Sequence, residues 1–327
     1  MHSTHKAPRG RFAPTPSGRL HLGNAMTALL AWLQMRSSGG EIVLRMEDLD
    51  RQRCKPELAD LLLAELRWLG LDWDEGPDIG GPHALYEQSR RTERYEAALD
   101  ELRRQGRLYP CYCSRADLLA AVHAPHGLDS EGPVYPGTCR ALTAEEQAVR
   151  AARKTPSLRF AMDGGKTYRF QDRIAGELAY AGSAGGDFVV VRADGIVAYQ
   201  LAVVADDIEM GITDVLRGWD LLDSTPRQLA LYEALGSPPP RFAHAPLLLG
   251  ADGSRLSKRH GSVSLSELRE GHGIRPQRII GFVAWLAGLN DRPEDAEPRD
   301  LISTFDIEFV RRQAVTLPDD WMSLLLG

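Results

Sequence analysis

Lysine is scarce in this chain of 327 residues: five lysines stand against 34 arginines. We read the imbalance as coding bias before function, yet it makes each lysine, Lys258 among them, easier to single out. Cysteine is sparse too, with only Cys54, Cys111, Cys113 and Cys139. So few thiols exclude a disulfide-built scaffold, and clustered cysteines in a reducing compartment more often ligate metal or stay inert. No apolar run approaches the roughly 20 residues that span a bilayer. The opening residues MHSTHKAPRG lack the apolar core of a secretory leader. Membrane partners are not expected, and a cytoplasmic monomer is. There is no internal repeat and no low-complexity tract.

What is present is ordinary for a globular protein: 43% hydrophobic and 26% charged residues. The length suits about two domains. A net charge of −6 does not advertise a nucleic-acid binder. It does not exclude one, since phosphate contacts need only a local basic face. Arg90, Arg91 and Arg94 offer such a face.

The chain opens strand-helix-strand-helix. A short strand around Arg11 and Phe12 is stopped by Pro14 and Pro16. A helix then opens at His21-Leu22-Gly23-Asn24, with apolar residues at Met26, Leu29, Leu30 and Leu33. This junction sets backbone N–H groups and the positive helix end where a phosphate can sit. His21 is placed to donate there too. Residues 41–46 read as a second strand ending in Glu47-Asp48-Leu49-Asp50, at the edge where open α/β sheets bind ligands. Pro56 starts another helix, and a further helix is predicted over 86–105.

From residue 106 the texture changes, and 106–186 reads as an inserted module. The α/β pattern resumes at 187, giving a catalytic domain in two halves, 8–105 and 187–261. Residues 262–327 read as a short helical region. The insert carries Cys111, Cys113 and Cys139, which can turn onto one metal. Three thiolates and one more donor make a closed tetrahedral zinc site. By spacing the fourth donor is His123 or His126. Cys54 stands apart as a plain thiol.

Taken together, R-F-A-P-T-P-S-G…H-L-G-N at 11–24, R-L-S-K at 255–258 and D-D-I-E-M-G-I-T-D-V-L-R-G-W-D at 206–220 resemble the glutamyl branch of the class I aminoacyl-tRNA synthetases. The resemblance implies a Rossmann-like doubly wound parallel sheet with an inserted zinc module. It implies that His21, Gly23, Asn24 and Lys258 meet ATP, taken with Mg2+, and that His21 and Lys258 are catalytic. It implies that Arg11, Ser17, Glu47, Tyr199 and Arg217 bind L-glutamate, with the arginines forked onto its carboxylates. The arrangement Y-P-G-T-C resembles a branch in which the tyrosine, here Tyr135, is the fourth zinc ligand. Full-length members continue into a large helical anticodon-binding domain, whereas 66 residues follow Gly261 here. This is similar to the truncated branch, which forms glutamyl-adenylate without RNA and attaches glutamate to queuosine in the anticodon of tRNA(Asp). Ordinary glutamylation of a tRNA 3′ end, or of a non-tRNA acceptor, is the alternative.

Overall fold

A computed structural model describes residues 7–114, 116–118, 134–250, 253–254 and 263–326. The strands are β1 (Arg9–Phe12), β2 (Glu41–Leu44), β3 (Leu108–Cys111), β4 (Ser157–Phe160), β5 (Thr167–Asp172) and β6 (Gly176–Ala181). They continue as β7 (Phe188–Val191), β8 (Asp214–Gly218), β9 (Arg241–Ala245), β10 (Leu248–Leu249) and β11 (Val315–Thr316). The main sheet runs β2-β1-β8-β9-β5-β6. Its members are parallel except β6, which closes an antiparallel hairpin with β5 at the edge.

Helices cover both faces, as a buried parallel sheet requires. On one side lies α1 (Leu22–Arg36), buried along most of its length because the two faces of its Leu- and Ala-rich sequence meet β1 and a C-terminal helix, Pro276–Ala287. Gly10 permits this approach: a Cβ there would lie 2.7 Å from Met35 Cγ. On the other side, Leu201, Val203, Val204, Leu231 and Tyr232 join Leu99 and Leu102 in a second core. This is the α/β doubly wound architecture expected from the sequence.

The boundaries expected at 106 and 186 are crossed in both directions. β5 and β6, inside the presumed insert, hydrogen-bond into the main sheet. β7, expected to resume the parallel sheet, instead pairs with β4 in an antiparallel sheet with β3. The apolar run Phe188–Val191 fits either sheet, so its sequence could not say which strand it would meet. Two helical expectations also change. Residues 88–90 form only a 3-10 turn before the helix Thr92–Arg104, since Met46 and Glu87 pair as extended chain. After Gly288 ends the helix Pro276–Ala287, the described chain holds only the 3-10 stretches Pro298–Leu301 and Ile307–Phe309, the short β11 and a last helix, Trp321–Leu326, separated by turns. No helix among the described residues is long and apolar enough to cross a membrane.

Candidate active site

The carboxyl ends of the parallel strands gather the polar residues. His21 is the N-cap of α1: its Nδ1 accepts from the amides of Gly23 (3.1 Å) and Asn24 (3.4 Å), and Asn24 Oδ1 accepts from the His21 amide (3.1 Å). Nδ1 is thereby the acceptor, so the neutral ring carries its proton on Nε2. The amides expected to be open to phosphate are engaged by this ring in the present conformation. Just beyond the second signature loop, Ser264 bridges to His21 and the Leu265 amide donates to the Leu20 carbonyl at 2.8 Å. Arg19 adds a bond to Ser266 Oγ at 2.7 Å. Residues 264–266 thus lie against the start of α1. Lys258, with Arg255, lies outside the described residues.

Arg11 and Arg217 are the next-to-last residues of β1 and β8, and both are buried. Arg11 reaches Asp207 Oδ2 and the Leu216 carbonyl, each at 3.4 Å. Arg217 donates to His244 Nε2 (3.0 Å), Gln228 Oε1 (2.7 Å), Thr225 Oγ1 (2.9 Å) and the Leu221 carbonyl (3.2 Å). Every one of these acceptors is uncharged, and no carboxylate pairs with Arg217 among the described residues. Burial pulls its pKa below the usual arginine range. A buried cation with only neutral partners is costly and is normally completed by an anion.

Tyr199 starts the helix Tyr199–Glu209 and sits in the field of the same groups. Burial raises its pKa and the Glu47 carboxylate adds to this, while Arg217 and Arg11 oppose. Glu47 is buried after β2, 3.4 Å from Arg45 Nη2. Burial pushes its carboxyl up to about 7, against the pull of Arg45 and Arg11. Ser17, in the proline turn, is half-buried, its amide on the Thr15 carbonyl at 2.8 Å. Arg11, Glu47, Tyr199 and Arg217 therefore converge electrostatically. None of these four lines the cleft of about 650 Å³ bounded by Pro16, Asp48, Arg51, Lys55 and Arg90, although Met46 and Asp48, the chain neighbours of Glu47, do.

Beneath these residues lies a network that the sequence reading missed. Arg45 is wholly buried and meets Asp207 Oδ1 at 2.7 Å and Asp206 Oδ2 at 3.6 Å. Asp206 also accepts from Arg91 (2.7 Å), Gln88 (2.8 Å) and Tyr95 (3.1 Å). Arg91, expected on an exposed basic face, is instead buried against Asp206 and Glu209; Arg94 and Arg90 pair with Glu209 and Glu87. The signal was available: a charge inside the apolar runs I-V-L-R-M and A-V-V-A-D-D has to find a partner when the run is buried.

The cysteine cluster stands apart, in its own small core with Tyr109 and Ala161. The sulfurs of Cys111, Cys113 and Cys139 lie within 4.8 Å of one another. Cys113 and Cys139 are 3.7 Å apart, and Tyr135 Oη is 3.5 Å from Cys111 Sγ and 3.8 Å from Cys113 Sγ. A tetrahedron with metal–sulfur bonds of about 2.3 Å and a metal–oxygen bond of about 2.0 Å has edges of about 3.8 and 3.5 Å. The donor set fits a metal ion. His123 and His126 lie outside the described residues. Cys54 is buried elsewhere, its thiol pushed up by burial beside Asp48 and Asp50.

Against this geometry, the profile of the family "tRNA synthetases class I (E and Q), catalytic domain" matches residues 8–313. The chain belongs to this family. It is 59% identical to a protein of Symbiobacterium thermophilum named glutamyl-Q tRNA(Asp) synthetase, over 97% of this chain and 98% of that one. A protein of the same name from Nitratidesulfovibrio vulgaris is 48% identical with the same coverage. Among solved structures, glutamate-tRNA synthetase of Elizabethkingia anophelis superposes with a TM-score of 0.85 at 28% identity, covering 98% of this chain and 70% of that one.

In this structure Arg45 is the central cation of the buried network at the sheet edge. Arg45→Leu strands Asp206, Asp207 and Glu47 together, and a broken buried pair costs roughly 3–5 kcal/mol. Urea unfolding of the variant is expected to show a loss of that size. A loss of under 1 kcal/mol would mean that the network contributes little to folding.

Proposed function

We propose that the chain activates L-glutamate with ATP and transfers it to the queuosine base in the anticodon of tRNA(Asp). The observation that carries the glutamate reading is Arg217, a buried guanidinium among neutral acceptors, within the field of Arg11 and of Tyr199, which itself feels Glu47. A substrate carboxylate would replace one or more uncharged acceptors, and charge-assisted bonds are the stronger ones. Glu47 pairs with the ammonium group, and Tyr199 and Ser17 supply hydroxyls. Asp207 already engages Arg11 Nε and the Leu216 carbonyl engages Nη1, so Arg11 offers Nη2 to the substrate instead of its full fork.

For ATP, a phosphate oxygen takes the place of His21 Nδ1 as acceptor for the amides of Gly23 and Asn24, and the imidazole is released to donate. Lys258 comes from the loop tethered at Ser264 and meets charge developing on the α-phosphate. Preorganised donors of this sort are often the largest catalytic contribution. Mg2+ accompanies the nucleotide. We place this work in a monomeric cytoplasmic protein whose catalytic unit combines residues 8–105 and 187–261 with β5 and β6 from the 106–186 segment, followed by a C-terminal region over 262–327.

The acceptor reading is supported by end-to-end similarity to two proteins named for glutamyl-Q tRNA(Asp), whereas the chain spans about 70% of a glutamate-tRNA synthetase. Chemistry allows the reuse: queuosine carries a cyclopentene cis-diol that resembles the terminal ribose diol. The test charges two tRNA pools with labelled glutamate, from cells able and unable to make queuosine. Label is expected only on the first pool, and it should survive trimming of the 3′ terminal adenosine. Label on the second pool would return the protein to ordinary glutamylation.

Zinc is the proposed metal, held by Cys111, Cys113, Cys139 and Tyr135. Burial raises the Tyr135 phenol, and hydrogen bonds with Cys111 and Cys139 raise it further, so phenolate ligation needs a cation to remove its proton. With four protein donors there is no open position, which makes the ion structural. One zinc per chain is expected by metal analysis of the purified protein. Cys139→Ser should lose it and Cys54→Ser should keep it; retention in both would refute the assignment.

The position of Glu47 predicts a pH dependence. Its folded pKa of about 7 exceeds the ordinary 4.5, so folding favours the acid, and stability is lost as pH rises from about 4.5 to about 7. Binding an ammonium needs the carboxylate. The KM for glutamate should therefore fall by up to about tenfold between pH 6 and 8. Glu47→Gln should raise the KM and flatten this dependence. An unchanged slope in that variant would assign the titration elsewhere.

A further inference from the structure

We propose that Asp172 and His244 are positioning residues for Arg217, setting through the tautomer of the His244 ring the direction in which the guanidinium meets substrate. The inference rests on the assignment of Arg217 to the glutamate pocket. It begins with register. In the parallel pair β8 and β9, Arg217 and His244 are direct partners. Asp172, at the end of β5, pairs with Phe242 two residues earlier on β9. Three strands thus set three side chains in a row.

Hydrogen bonding fixes the protons. An arginine has donors only, so His244 Nε2, at 3.0 Å from Arg217 Nε, must present its lone pair. The ring proton is then on Nδ1 and is donated to Asp172 Oδ2 at 2.6 Å. The other oxygen, Oδ1, accepts from the amides of Ile174 (3.0 Å), Ala175 (2.8 Å) and His244 itself (3.2 Å). Burial opposes ionisation of Asp172, but the bond from His244 and these amides outweigh it and hold its pKa below the usual range. Burial keeps His244 neutral, with a pKa down to about 4, although Asp172 pulls the other way. Both side chains are sealed from solvent.

The arrangement solves a specific problem. A carboxylate placed directly on Arg217 would orient it but would also occupy its charge. A neutral imidazole in between orients the Nε edge and leaves the charge to be met by the substrate. Gln228, itself held by Gln200 Oε1 at 2.8 Å, does the same for Nη1.

Asp172→Asn tests the tautomer. Three amides demand an oxygen at the Oδ1 position, so the asparagine NH2 faces His244 Nδ1. Nδ1 must then accept, the ring proton moves to Nε2, and a donor faces the Arg217 donor. The same logic of a wrong tautomer applies to an Asp-to-Asn change behind a catalytic histidine.

The experiment measures glutamate-dependent ATP–pyrophosphate exchange, with queuosine-bearing tRNA present, for Asp172→Asn, His244→Gln, His244→Asn and Arg217→Gln. Asp172→Asn is expected to raise the glutamate KM at least tenfold with the ATP KM within twofold. Histidine 15N NMR should show the His244 proton moving from Nδ1 to Nε2. His244→Gln, whose Oε1 can reach the place of Nε2, should be milder than His244→Asn, which stops short of it; this pair carries the test if Asp172→Asn does not fold. Equal effects of Gln and Asn, or parallel shifts in both KM values, would overturn the proposal. So would a tautomer change that leaves the glutamate KM unaltered. If Arg217→Gln itself leaves that KM unchanged, the glutamate-pocket reading fails, and the relay falls with it.

Discussion

The site depends on the cost of burying positive charge at the carboxyl edge of a parallel sheet. Arg11, Arg45 and Arg217 all sit there out of water. A desolvated guanidinium must be answered by neighbours or by a ligand. Arg45 is answered completely, by Asp206, Asp207 and Glu47, and burial is outweighed so that its pKa stays above the ordinary range. Arg11 is answered in part, by Asp207. Arg217 is answered only by neutral acceptors. This gradient, from fully paired to unpaired, separates the scaffold from the group that awaits an anion.

The interleaving of segments gives that gradient its geometry. Had β5 stayed in the presumed insert, Asp172 would not stand beside His244, and the Nε edge of Arg217 would lack its anchor. The antiparallel sheet of β3, β4 and β7 keeps the insert attached while Asp187 ties its parts, accepting from Tyr109 at 2.7 Å and the Met162 amide at 2.8 Å. The cysteine cluster then hangs from β3 with little hydrophobic support of its own, the setting in which a metal does the work of a core.

The chain itself determined a good deal. Apolar periodicity and proline punctuation located α1, β1, β2 and the helix from Pro56, and the strand-helix alternation gave the doubly wound class. The cysteines suggested a cluster that could hold a metal, and folding brings Cys139, 26 residues beyond Cys113, to within 4.8 Å of the other two sulfurs. His21, Glu47, Tyr199 and Arg217 were singled out through the motifs that resemble the family, and each lies at or close to the end of a regular element.

Tertiary structure decided what local sequence cannot carry: which strands are neighbours and which charges share a burial site. β5 (T-Y-R-F-Q-D) alternates polar and apolar residues while β7 (F-V-V-V) is apolar throughout, yet packing places the first in the main sheet and the second in the antiparallel one. Arg91 looks exposed on a helix wheel and is buried because Asp206, 115 residues away, needs it. Asp172 and His244 carry no motif at all. Their role arises from register across β5, β9 and β8, a long-range pairing whose energy exists only when the strands are already side by side.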